Sequence, residues 1–124
     1  MSETKVIHVH DMSNYPDAVY IGRAMPRRGL KASPFANPYK IGRDGSREDV
    51  LRKFASDLDA MLAGSGRQGV LDDLCELIGK PLACWCRHDG QPITDETGCH
   101  GDILIAELRA NYTDAELRRL AALT

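Results

Sequence analysis

Four cysteines occur in the chain, and three of them, Cys84, Cys86 and Cys99, lie with His100 and Asp102 in one late stretch rich in groups that can bind metal or attack carbon. In an extended segment, alternate residues point to one side, so Cys84 and Cys86 face a common site that a second loop bearing Cys99 and His100 can meet. Zinc favours about four sulfur and nitrogen donors, which makes Cys84, Cys86, Cys99 and His100 the candidate metal set and zinc the candidate ion. Two features count against it: the usual structural pair has two residues between its cysteines, and adjacent Cys99 and His100 need a local bend to share an ion. Free thiols offer other chemistry. Cys99 sits near the start of an expected helix, where unpaired amides stabilise a thiolate, and His100 or His88 can relay its proton. Asp102 can then hold His100 in one tautomer, position water or orient a ligand hydroxyl. Cys99, His100 and Asp102 are therefore the candidate catalytic group. Packing and helix capping explain the same residues without catalysis, and two disulfides are arithmetically allowed but lack an export signal to favour them.

A second group suits ligand recognition. Gly22 and Arg23 follow a short apolar segment, and Asn37 and Tyr39 lie in a loop stiffened by Pro26, Pro34 and Pro38. Arginine pairs with phosphate, an asparagine amide reads a base edge, and Tyr39 or Trp85 can stack on a planar ring. Trp85, the sole tryptophan, is equally suited to anchor a core with its indole nitrogen satisfied. Gly22, Arg23, Asn37, Tyr39 and Trp85 are thus the candidate ligand-binding residues. The glycine patterns of phosphate-binding loops and dinucleotide folds are absent.

These residues need elements to carry them. Residues 6–10 and 18–21 are β-branched runs separated by turn formers, and both read as strands. Residues 25–39 form a long structured loop pinned by Phe35 and Tyr39. Ser46 opens a helix with acids in its first turn, and Val50, Leu51, Phe54, Ala55, Leu58, Met61 and Leu62 give it one buried face. Val70, Leu71, Leu74, Leu77 and Ile78 mark a shorter helix, with Cys75 as a small buried neighbour. Residues 81–85 read as a buried strand and 87–98 as a polar loop. Cys99 and the residues after it enter a third helix, and Thr113 with Glu116 caps a fourth. Strands interleaved with helices predict an α/β protein with a small mixed or parallel sheet covered by helices. The arginine-bearing turn, the aromatic loop and the cysteine-bearing segments are then expected at the carboxyl end of that sheet.

The chain has 124 residues, enough for one core and one domain spanning 1–124, with 43% hydrophobic and 27% charged side chains. No stretch reaches the roughly 18 apolar residues of a membrane span, and no secretory signal opens the chain. The expected location is the cytoplasm. Net charge is −2, but up to Arg43 there are seven basic and three acidic residues, and beyond it nine and fifteen. A cationic surface built by the first third is consistent with that asymmetry.

The blocks 19–23 (Val-Tyr-Ile-Gly-Arg), 33–39 (Ser-Pro-Phe-Ala-Asn-Pro-Tyr), 84–86 (Cys-Trp-Cys) and 99–102 (Cys-His-Gly-Asp) resemble the DUF4326 family, common in bacteriophages and also found in bacteria. The resemblance runs from about Val6 to Leu108 and implies that Gly22, Arg23, Asn37, Pro38, Tyr39, Cys84, Trp85, Cys86, Cys99, His100, Gly101 and Asp102 occupy motif positions. The family pattern has a short proline-containing segment between the last two blocks, where this chain has the longer loop 87–98. The setting would be a bacterial or phage-infected cell. Together these features predict a nucleotide-handling or nucleic-acid-modifying protein with a Cys/His/Asp site, partnered by a nucleotide or nucleic acid and not by a membrane. The alternative is a non-catalytic, metal-stabilised nucleotide-sensing or protein-interaction module.

Overall fold

A computed structural model describes residues 4–87, 91–94 and 97–122. Three strands, β1 (Lys5–His8), β2 (Val19–Tyr20) and β3 (Pro81–Cys84), form a parallel sheet in the order β1-β3-β2. Four helices follow the order α1 (Arg47–Ala63), α2 (Arg67–Cys75), α3 (His100–Asn111) and α4 (Asp114–Ala122). The α/β architecture expected from the interleaved periods is present, and the sheet is parallel throughout.

β3 is central and buried along its whole length, as parallel strands covered on both faces must be. Its side chains alternate between two apolar layers. Leu82 and Cys84 join Val6, Ile21, Leu58, Leu74, Leu104 and Leu108 beneath the helices. Ala83 turns the other way, toward Ile7 and Val9 and the short 3-10 segment Val9–Asn14. This period of two commits Cys84 to the helical side of the sheet.

Several boundaries differ from the sequence expectation: α2 ends at Cys75, leaving Leu77 and Ile78 in the turn beyond it, and β2 covers only Val19–Tyr20. β1 stops at His8 because its Nδ1 accepts from the His10 amide at 3.1 Å, which turns the chain into the 3-10 segment. Within the long proline-bearing loop, Pro26–Arg28 forms one 3-10 turn, closed by an antiparallel bridge between Met25 and Leu30. β3 ends at Cys84, and Trp85 is left 38% exposed instead of closing a buried strand.

Local chemistry sets the helix starts as the sequence implies. Ser46 Oγ accepts from the Asp49 amide at 3.2 Å while Asp49 Oδ2 accepts from the Ser46 amide at 2.9 Å, a reciprocal capping box. Thr113 and Glu116 repeat the arrangement ahead of α4. At α3 the cap is Cys99, whose Sγ accepts from the Gly101 amide at 3.3 Å, and Asp102 returns a carboxylate to the Cys99 amide at 3.0 Å. A Cβ on Gly101 would lie 2.8 Å from Val6 Cγ2 and 2.9 Å from Ile21 Cδ1. Glycine there lets the start of α3 press against the sheet, beside the end of β3.

Candidate metal centre

The ends of β3 and α3 bring Cys84, Cys86 and Cys99 together, with all three sulfurs within 4.8 Å of one another. Cys84 and Cys99 are buried and Cys86 is half-buried. The Cys99 thiol donates to Cys84 Sγ at 2.9 Å, and the Cys86 amide donates to Cys84 Sγ at 3.4 Å. With the Gly101 amide on Cys99, two sulfurs receive backbone N–H groups, which favours anionic sulfur.

Of the three thiols, Cys86 is the one whose surroundings favour the thiolate. Hydrogen bonds from Cys84 and then Cys99, with the Arg47 guanidinium nearby, pull its pKa down to about 2. Cys84 is pushed up to about 11, mainly because its hydrogen bond supports the Cys86 thiolate. Cys99 is raised as well, by its bonds to Cys84 and Cys86 and by burial. The three-cysteine group can exchange its protons for one soft cation, because thiolates are the ligands of zinc, copper(I) and iron–sulfur centres.

Two arginines surround it. Arg47 Nη1 donates to the Gly98 carbonyl at 2.9 Å, tying the start of α1 to the residue before Cys99. Arg87 is buried, and its two terminal nitrogens clasp the Asp102 carboxylate at 2.6 and 2.5 Å while Nη1 also reaches the Thr97 carbonyl at 3.2 Å. The Asp102 carboxylate, through its hydrogen bonds and its charge, raises the Arg87 pKa against the opposing effect of burial.

His100 stands beside the cluster. Its Nε2 lies 2.7 Å from the Ile21 carbonyl, and since a carbonyl only accepts, Nε2 bears the proton and Nδ1 keeps a lone pair. That Nδ1 is 3.8 Å from Cys99 Sγ. Burial lowers the His100 pKa and keeps the ring neutral.

A cleft of about 680 Å³ opens on the carboxyl end of the sheet and reaches Cys84, Cys86 and His100. Gly22, Arg23, Asn37, Tyr39 and Trp85 all line it with His100, so the four motif blocks meet in one place. Asn37 is engaged within its own loop: Oδ1 accepts from the Tyr39 amide at 3.0 Å and Nδ2 donates to the Val50 carbonyl at 3.4 Å. The Tyr39 hydroxyl donates to Asp57 at 2.6 Å. Cys99 and Asp102 do not line the cleft, and His88 is outside the described residues.

The expected Cys/His/Asp reaction site is corrected by this geometry. The residues that converge are three cysteines. Asp102 is held by Arg87 and the Cys99 amide, and the His100 ring donates its proton to the Ile21 carbonyl. The nucleotide-handling or nucleic-acid-modifying reading loses its basis with them, because the reactive trio is absent and the Asn37 amide that was to read a base is committed to backbone groups.

Sequence reasoning passed over Arg47, Arg87 and Tyr20. Arg47 left a signal: a cation in the first turn of a helix opposes the dipole, which invites the question of what anion it serves. Arg87 carried no such mark. The Tyr20 hydroxyl donates to the Arg23 carbonyl at 2.5 Å and accepts from Trp85 Nε1 at 3.1 Å, which fixes the tryptophan at the cleft wall without burying it.

Fold and site together define a small α/β protein with a three-cysteine centre at the carboxyl end of a parallel sheet. The chain belongs to the family described as "Domain of unknown function (DUF4326)", whose model matches residues 5–110. It is 33% identical over 89 residues to the uncharacterized protein R718 of Acanthamoeba polyphaga mimivirus, covering 70% of this chain and 63% of the viral protein. The chain therefore spans less than two thirds of that relative's length. No solved structure matches the chain. Among the described residues, no helix is long and apolar enough to cross a membrane.

Proposed function

We propose that the chain is a non-catalytic binding module whose fold is fastened by one thiophilic metal ion, zinc being the ion its donors fit. The observation that carries this reading is the meeting of three sulfurs within 4.8 Å at the junction of β3 and α3. Cys84, Cys86 and Cys99 supply thiolates, and His100 Nδ1 supplies a fourth donor. The Nε2 bond to Ile21 is the outer hydrogen bond that metal-binding histidines use to fix their tautomer. Four protein donors close the ion to water, which suits a structural role over hydrolysis. Arg47 and Arg87 offset the net charge of a dication held by three thiolates. The module, taken as one domain over residues 1–124, offers its cleft for recognition.

Cobalt(II) tests the donor set. Titration of the reduced, anaerobic chain is expected to saturate near one equivalent with near-ultraviolet thiolate charge-transfer bands and visible bands of a tetrahedral ion. Since Cys84 and Cys99 hold protons at neutral pH, loading must release them, and apparent affinity should fall on acidification from about pH 7.5 to about pH 6. His100→Ala should keep the charge-transfer bands and alter the visible ones. Absence of thiolate bands, or an affinity indifferent to pH, would contradict the proposal.

A further inference from the structure

The cleft beside the cysteines has an uneven chemical lining that the metal reading does not use. Arg23, Lys40 and Arg47 line it, and no aspartate or glutamate among the described residues does. Asp57, which accepts from Tyr39, is not among the lining residues. This concentration of positive charge occurs in a chain whose net charge is −2. Arg47 is anchored to the Gly98 carbonyl. The Arg23 and Lys40 side chains make no hydrogen bond or ion pair among the described residues, so their charges are open to a ligand.

The remaining walls are flat or apolar. Tyr20, Tyr39 and Trp85 contribute rings, and Met25, Ile41, Val50 and Leu51 contribute hydrocarbon. Ile41 is 55% exposed and Trp85 38%, large apolar groups left in solvent at the same opening. Trp85 is not loose, because Tyr20 holds its indole nitrogen and Arg28 lies 5.2 Å from its ring. A volume of about 680 Å³ lies within the range of small-molecule sites, which pair mostly apolar walls with a few placed polar groups.

We propose that this cleft binds a small organic anion, with a carboxylate or phosphate group held by Arg23 and Lys40 and a planar apolar body lying against Trp85. The guanidinium supplies paired donors to either head group, and the rings supply the stacking surface. Binding needs no bond to change: Arg23, Lys40 and Tyr39 lie on the loop after β2 and Trp85 follows β3, apart from the cysteines, whereas Arg47 opens α1.

The sole tryptophan reports the event. The intact chain, loaded with zinc, is titrated with phenyl phosphate and with benzoate while Trp85 fluorescence is followed; benzylamine, inorganic phosphate and benzyl alcohol serve as comparisons. Phenyl phosphate or benzoate is expected to give a saturable change with Kd below about 1 mM. The amine and the alcohol should bind at least tenfold more weakly, and inorganic phosphate should compete without the full fluorescence change. Phenyl phosphate binding alone assigns the head group to phosphate, and benzoate binding alone assigns it to carboxylate. Arg23→Ala should weaken binding tenfold or more, and Arg118→Ala on α4 should leave it unchanged. Isothermal calorimetry on the same variants guards against a change confined to fluorescence. No saturable response to either aryl anion up to about 10 mM, equal binding of benzylamine, or unchanged affinity in Arg23→Ala would overturn the proposal. Repeating the titration on the metal-free chain, with circular dichroism confirming its fold, separates the two readings. Retained binding there supports an anion site standing apart from the metal, and binding lost while the fold persists overturns that independence.

Discussion

Cys99→Ser should lose the metal-dependent stability of the protein while keeping its fold. The substitution is nearly isosteric, and serine is a preferred N-cap, so the amide of Gly101 retains an acceptor in place of Cys99 Sγ. What disappears is a thiolate donor buried at the junction of β3 and α3. A ligand at about a thousand times its Kd stabilises the native state by about 4 kcal/mol, which for a domain of this size corresponds to roughly 10 °C or more in Tm. Wild-type protein with excess zinc should therefore melt at least that much above the same protein in chelator. Cys99→Ser should melt within a few degrees of chelated wild type in both conditions. Thermal melts with and without zinc make the comparison. A zinc-dependent rise of equal size in the variant would place the stabilising ion elsewhere.

Arg87→Met carries the second large effect. Arg87 is 6% exposed and holds both oxygens of Asp102. The methionine fills much of the same volume but leaves the Asp102 carboxylate without its cation beside the cysteine cluster. The Asp102 side chain keeps 21% of its surface exposed, so the loss should fall at or below the low end of the about 3–5 kcal/mol that removing one partner of a buried pair costs. Arg87→Met/Asp102→Asn removes that charge and keeps an amide oxygen for the Cys99 N–H, so part of the loss should return. Denaturant melts of the wild type, both single variants and the double complete the cycle, with a coupling of about 1–3 kcal/mol expected. Purely additive losses would show that the pair is a surface contact in energetic terms.

The helices and strands are legible in the sequence because their signals are local. Of the seven apolar positions expected on one buried face of α1, Val50, Phe54, Leu58 and Leu62 are buried, Leu51 and Ala55 are half-buried, and Met61 is exposed. The alternation of Cys84 and Cys86 places both thiols on one side of an extended chain, and the sheet period puts Cys84 on the helical side. The meeting of Cys99 with that pair is readable as a candidate because strand ends and helix starts share one edge of an α/β sheet.

Other features depend on partners distant in sequence. Asp102 reads as free for chemistry, yet Arg87, fifteen positions earlier, occupies both its oxygens. His100 reads as a proton relay, but its ring proton goes to Ile21, seventy-nine positions away. Asn37 reads as ready to meet a base, and its amide closes its own loop and reaches Val50. Each side chain has chemistry enough for a reaction, and each is instead fixed by a tertiary bond that composition and spacing do not encode. Trp85 shows the converse, since its apolar bulk suggests a core anchor and the hydroxyl of Tyr20 holds it at the surface.

The central claim is that Cys84, Cys86 and Cys99 hold a metal ion. Elemental analysis of untagged protein, purified anaerobically without chelator, tests it most directly. About one equivalent of a thiophilic metal per chain is expected in the wild type, falling below about a tenth of that in a Cys84→Ser/Cys99→Ser variant. Wild-type protein that is folded, fully reduced and metal-free, and that stays so after incubation with zinc, would contradict it.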